Sequence, residues 1–95
     1  MPRAHKQRRL AVGQPCPYCC RTMERLDHPR LAPTRDHVVP ESRGGKEVIV
    51  ACMQCNTTKA DMLPDQWEAF MASNPGWWKL SKHELRLVLM IESVP

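Results

Sequence analysis

Two Cys-x-x-Cys pairs, Cys16-Pro17-Tyr18-Cys19 and Cys52-Met53-Gln54-Cys55, constrain this chain more than any other feature. Four thiolates arranged in two such pairs can hold one zinc ion tetrahedrally. A chain closed at that point has its first quarter tied to its middle. The thirty-two residues between Cys19 and Cys52 exceed what a simple zinc ribbon needs, and leave room for a β-hairpin between the knuckles. No thioredoxin-like βαβ pattern surrounds either pair, which argues against a redox role. Cys20 is the leftover thiol; the spacing leaves open that it replaces Cys19 as a ligand.

Length makes such a staple necessary. A chain of 95 residues is expected to form one domain, and one this short buries only roughly 60–65% of its unfolded surface. With one Phe, one Tyr and three Trp the aromatic core is thin, so a metal is the available reinforcement. No apolar run follows the basic opening residues, and no stretch is long and apolar enough to span a membrane. A reducing cytoplasm with metal-bound thiolates is therefore the expected setting.

Charge is unevenly spread. Residues 1–35 hold eight Lys/Arg against Glu24 and Asp27, whereas the remainder holds six against eight acidic residues. Four thiolates and one zinc ion together carry −2, which lowers the formal +4 to nearer +2. Location then matters more than the sum, and the basic half is a candidate phosphate-binding surface. Residues 1–14 are expected as a flexible basic arm, with Arg8 and Arg9 among its phosphate contacts, and the folded domain as 15–95.

The pattern predicts an α+β order. Arg21 to Leu26 reads as a short strand, Thr34 to Val39 as a second, and Glu47 to Ala51 as its return, with Gly44-Gly45 permitting a tight reversal. A short helix is expected from about Asn56 to Met62, and another over Asp65 to Ser73 with Trp67, Phe70 and Met71 as its buried stripe. Ser81-Lys82-His83-Glu84 matches a capping box and starts a last helix near Lys82. That helix has one apolar face of Leu85, Val88 and Leu89 and another of Leu87, Met90, Ile91 and Val94. It is expected to be sandwiched in the domain or to serve a protein partner or self-association.

Asp36-His37 lies between the knuckles, and Asn56 and Lys59 follow the second. Hydrolysis of a phosphodiester needs a base for water and a cation beside the scissile phosphate. Imidazole suits the first task because it titrates near neutrality. A carboxylate and a carboxamide oxygen suit Mg²⁺ or Mn²⁺. Adjacent strand residues face opposite ways, so Asp36 and His37 serve one site only if the strand bends or one side chain reaches round its edge. The alternative for Asn56 is the N-cap of the helix that follows, which is what Asn usually does there. Lys59, one turn on, and Arg35 and Arg43, flanking the centre, are candidate phosphate contacts. Trp67, Trp77 and Trp78 are expected as core.

These segments resemble the HNH endonuclease family of ββα-metal fold, and look most like its small zinc-bearing members in bacteria and their phages. The match runs through Cys-Pro-Tyr-Cys (16–19), Arg-Asp-His-Val-Val-Pro (35–40), Ser-Arg-Gly-Gly (42–45) and Cys-Met-Gln-Cys-Asn-Thr-Thr-Lys (52–59), and covers residues 16 to about 65. The resemblance implies a ββα-metal core stapled by a four-cysteine zinc site, with one or two added C-terminal helices. It implies that Asp36 and Asn56 bind a catalytic divalent metal and that His37 is the general base. It implies cleavage of DNA with little sequence preference. The chain departs from the family in the segment from Gly45 to Cys52, which holds no Asn or His to brace the hairpin; Glu47 or backbone hydrogen bonds are the available substitutes. The alternatives are a non-catalytic zinc module that grips nucleic acid or protein, and a nuclease subunit active only within a larger phage assembly.

Overall fold

A computed structural model describes residues 3–92. It divides into two units, Met1–Leu63 and Pro64–Pro95, whereas the sequence pattern places a boundary after residue 14. Ala, Lys, Gln, Arg and Leu are good helix formers, and Arg3–Ala11 forms helix α1 with Arg8 and Arg9 in its last turn, where cations complement the helix dipole. The expected flexible arm is thus a helix over most of its length. The backbone turns at Gly13, whose φ of +86° favours glycine, and the Gly13 N–H donates to the Met23 carbonyl (2.8 Å).

The first knuckle is a loop rather than the lead into a strand. Cys16 N–H donates to Arg21 O and Cys20 N–H to Cys16 O. Cys20 sits at φ +65°, an unusual conformation for a non-glycine residue. A single bridge pairs Pro15 with Thr22, and the strand expected over 21–26 does not form.

Strands β1 (Pro33–His37) and β2 (Val48–Cys52) pair antiparallel, with Pro33 opposite Cys52 and His37 opposite Val48. Their connection is held by backbone groups: Val38 N–H donates to Glu47 O, and Gly45 N–H to Pro40 O. Backbone bonds therefore brace this hairpin. A Cβ on Gly45 would overlap the Val39 carbonyl, so only glycine fits there.

Helix α2 spans Met53–Lys59 and begins three residues earlier than the sequence suggests. Its cap is the Cys52 side chain, whose sulfur accepts from Cys55 N–H at 3.4 Å. Asn56 therefore lies inside the helix and is not its N-cap. The N–H groups of Met53 and Gln54, which lack partners within the helix, donate to Ala32 O and Arg30 O, anchoring the helix start to the approach to β1. The buried apolar residues of this unit are mostly small or sulfur-bearing, among them Cys16, Met23, Ala32, Ala51, Cys52 and Cys55, and the charged Asp36 and Lys59 are buried beside them.

The second unit is built from α3 (Pro64–Ser73) and α4 (Lys82–Glu92) with a 3-10 turn at Trp77–Lys79. Pro64 occupies the first helical position, where its missing N–H costs nothing. Trp67, Phe70 and Trp77 are each about 1% exposed. Trp67 stacks on Phe70 at 5.5 Å, and Trp77 meets Trp67 edge-on at 5.8 Å. The capping box forms: Ser81 N–H donates to Glu84 Oε1, and Glu84 N–H to Ser81 Oγ. On α4, Leu85, Val88 and Leu89 are half-buried, whereas Leu87 and Met90 are exposed. Val94 lies outside the described residues. No helix among the described residues is long and apolar enough to cross a membrane.

Candidate functional site

The knuckles bring the sulfurs of Cys16, Cys19, Cys52 and Cys55 within 4.8 Å of one another. Such a set can bind a metal such as zinc. Cys19 belongs to it, and Cys20 is exposed outside it. The protonation chemistry of the cluster matches that donor set. The Cys16 thiol is held far below its usual range because the Cys52 and Cys55 thiols donate to it. Cys55 is driven far up by donating to Cys16 and Cys52 and by burial. Cys52 is pushed up to about 12, chiefly by its bond to Cys16. One thiolate is stabilised at the expense of Cys52 and Cys55, and a divalent cation bound among them would let them ionise together.

Arg21, which belongs to none of the sequence motifs, sits against this cluster. Its Nε donates to Cys19 Sγ (3.3 Å), its Nη2 reaches Cys52 Sγ (3.9 Å), and its Nη1 donates to Gln54 Oε1 (2.9 Å). Backbone N–H groups add to the shell: Cys52 N–H donates to Cys16 Sγ at 3.4 Å. A fixed cation and aligned N–H donors offset the negative charge of grouped thiolates. The sequence signal for it is a basic residue two positions past a ligand.

The second cluster grows from the free edge of β1. In an antiparallel pair alternate residues direct their polar groups toward the partner strand and away from it. The Val38–Glu47 bond sets the phase, and puts the carbonyls of 33, 35 and 37 on the outer edge. All three are answered by side chains. Arg8 Nε donates to Pro33 O (2.9 Å), Asn56 Nδ2 to Arg35 O (2.9 Å), and Lys59 Nζ to His37 O (2.9 Å). Asn56 Nδ2 also donates to Thr34 Oγ1. Lys59 is 1% exposed, so the surface position expected of a phosphate contact is not the one it takes. Arg8 is likewise engaged by Pro33.

Asp36 points inward and is 4% exposed. Its Oδ2 accepts from the Tyr18 hydroxyl at 2.6 Å and faces Lys59 Nζ at 3.4 Å. The Tyr18 phenol is pushed well above its ordinary range, first by burial and then by Asp36, so it is a proton donor here. Asp36 Oδ1 makes no hydrogen bond among the described residues, and neither does Asn56 Oδ1. Each of these two side chains is fastened by one atom and leaves an oxygen for another ligand. His37, the next residue, is half-exposed, with Nε2 3.8 Å from Glu41 Oε2.

Arg9, Arg35 and Arg43 are exposed, on α1, on β1 and in the 3-10 turn Glu41–Arg43 respectively. Of the titratable candidates, Asp36 and Lys59 are thus in direct contact, and Asn56 holds the strand on the N-terminal side of Asp36. His28, in the loop before β1, receives the N–H groups of Arg30 and Leu31 on Nδ1 and serves that loop. No protein-family model, curated protein or solved structure matches this chain.

Proposed function

We propose that this chain is a divalent-metal-dependent DNA endonuclease of the HNH type, with zinc at the four cysteines and Mg²⁺ or Mn²⁺ at Asp36 and Asn56. The observation that carries the reading is the pair of oxygens, Asp36 Oδ1 and Asn56 Oδ1, that make no hydrogen bond among the described residues, on side chains that are otherwise tied down. One is anionic and one neutral, which suits a hard cation that keeps positions for water and phosphate. When bound there, that cation stabilises the charge that develops on the scissile phosphate. His37 stands on the same strand with its imidazole partly in solvent, and takes the proton from the attacking water. Arg9, Arg35 and Arg43 hold neighbouring phosphates without reading bases.

A supercoiled-plasmid assay with Mg²⁺, Mn²⁺ or EDTA tests this. Nicking should require the added metal, and His37→Ala should lower it by about 10²–10⁴ while leaving zinc content and DNA binding in place. Equal cutting by His37→Ala removes the base assignment. A wild type that never cuts favours the second reading, a subunit that cuts only inside a larger assembly. The exposed Leu87 and Met90 on α4 support that second reading.

A further inference from the structure

We propose that Tyr18 is a positioning residue that carries the order of the cysteine cluster to Asp36, fixing Oδ2 so that Oδ1 is presented in a single direction to a divalent cation. The inference rests on the nuclease reading and adds to it a residue whose role no local pattern in the chain reveals.

Tyr18 lies inside the first knuckle, with Cys16 two residues before it and Cys19 directly after. Its backbone is therefore held wherever those two sulfurs are held. From there its hydroxyl reaches eighteen residues along the chain to donate to Asp36 Oδ2 at 2.6 Å. Lys59 Nζ approaches the same oxygen at 3.4 Å, and donates to the carbonyl of the next residue, His37, at 2.9 Å. Two donors from different elements, one on the knuckle and one on α2, converge on one carboxylate oxygen. The other oxygen has no protein hydrogen bond among the described residues.

A carboxylate with both oxygens free can turn about its terminal torsion and bind a cation through either or both. Tying one oxygen removes that freedom and leaves a monodentate donor. Partners of this kind, one bond removed from the metal, commonly alter affinity by about 10–100-fold when deleted. A neutral hydroxyl is suited to the task, because it directs the carboxylate without adding charge to the site. The same link makes the thiol cluster a requirement for the hydrolytic site, since a loosened knuckle withdraws the hydroxyl.

Tyr18→Phe is the direct test, because it keeps the ring and removes only the donor. Manganese binding to the zinc-loaded full chain, followed by the free-ion electron paramagnetic resonance signal, gives a readout independent of cleavage. Mn²⁺ affinity should fall by about 10-fold or more in Tyr18→Phe, with zinc content and the thermal midpoint close to wild type. Asp36→Asn sets the baseline. If Tyr18→Phe binds Mn²⁺ as tightly as wild type, the positioning role is wrong and the nuclease reading stands. If Tyr18→Phe loses zinc, Tyr18 is a structural part of the knuckle and the positioning role is again wrong. If wild type binds Mn²⁺ no better than Asp36→Asn, both the nuclease reading and the inference fall.

Discussion

The two units of this chain are held by different physics. In residues 1–63 the centre is four sulfurs together with Ala32, Ala51, Pro33 and Met23. In residues 64–95 it is three aromatic side chains, Trp67, Phe70 and Trp77, with ring centroids 5.5–5.9 Å apart. The first has little apolar volume to bury, so its order rests on the sulfur cluster and on directed hydrogen bonds. The second has no such cluster among the described residues and depends on area removed from water, at roughly 25 cal/mol per Å². The buried charged groups among the described residues, Asp36 and Lys59, are found in the unit that holds the cysteine cluster.

The largest effect should come from Cys52. This residue belongs to the sulfur cluster, caps α2 and ends β2. Structural zinc supplies about 10–16 kcal/mol of apparent binding free energy in small zinc peptides. Cys52→Ser should therefore abolish stoichiometric zinc and erase amide-exchange protection over residues 33–59. Persisting protection without zinc would show that the hairpin needs no metal, and would erase the contrast between the units.

Trp77→Ala should follow, at about 3–5 kcal/mol for an aromatic core truncation. Every tryptophan lies in the second unit, at 67, 77 and 78, so the emission of the remaining two originates there. Denaturant midpoints by fluorescence should drop while zinc content stays at the wild-type level. Zinc loss in this variant would mean that the units do not have separate supports.

Ser81→Ala should be smaller still. It removes the hydroxyl that accepts Glu84 N–H, and such caps contribute about 1 kcal/mol. Faster amide exchange confined to the first turn of α4 is the expected signature. No change there would mean that α4 is held by its apolar residues rather than by its cap.

How much of this is readable beforehand depends on whether the signal is local. The hairpin is visible because β-branched Val48, Ile49 and Val50 stand between turn residues and a knuckle. The capping box is visible because both of its partners lie within four residues. The helix Arg3–Ala11 escapes because its density of charge resembles a solvated tail, although Ala, Gln, Lys, Arg and Leu favour helix and the contact that anchors it, Pro33 O, lies twenty-five residues away. Lys59 reads as a surface cation for the same reason: nothing near it in sequence reveals a buried Asp36 and an open strand carbonyl. Asn56 looks like a cap because Asn so often is one, and the thiol of Cys52 already takes that position. For the cysteines, spacing marks the two pairs but leaves Cys20 open as a substitute for Cys19, and the fold of the first knuckle decides for Cys19.

The closure of the β1 edge has a bearing on how this protein survives in a crowded solution. A two-stranded sheet has two rims, and a rim with open carbonyls is a template on which a further strand can assemble. Here the rim at 33, 35 and 37 is occupied by donors that belong to helices, so it offers no place for an incoming strand. Two of those three donors, Asn56 and Lys59, sit on a helix that starts at a cysteine of the sulfur cluster. Stripping a metal from that cluster should unwind the helix and reopen the rim beside the Val48–Ile49–Val50 run. Light scattering from chelator-treated protein should then climb with time while the zinc-loaded sample stays clear, which would make metal supply a condition of staying dispersed.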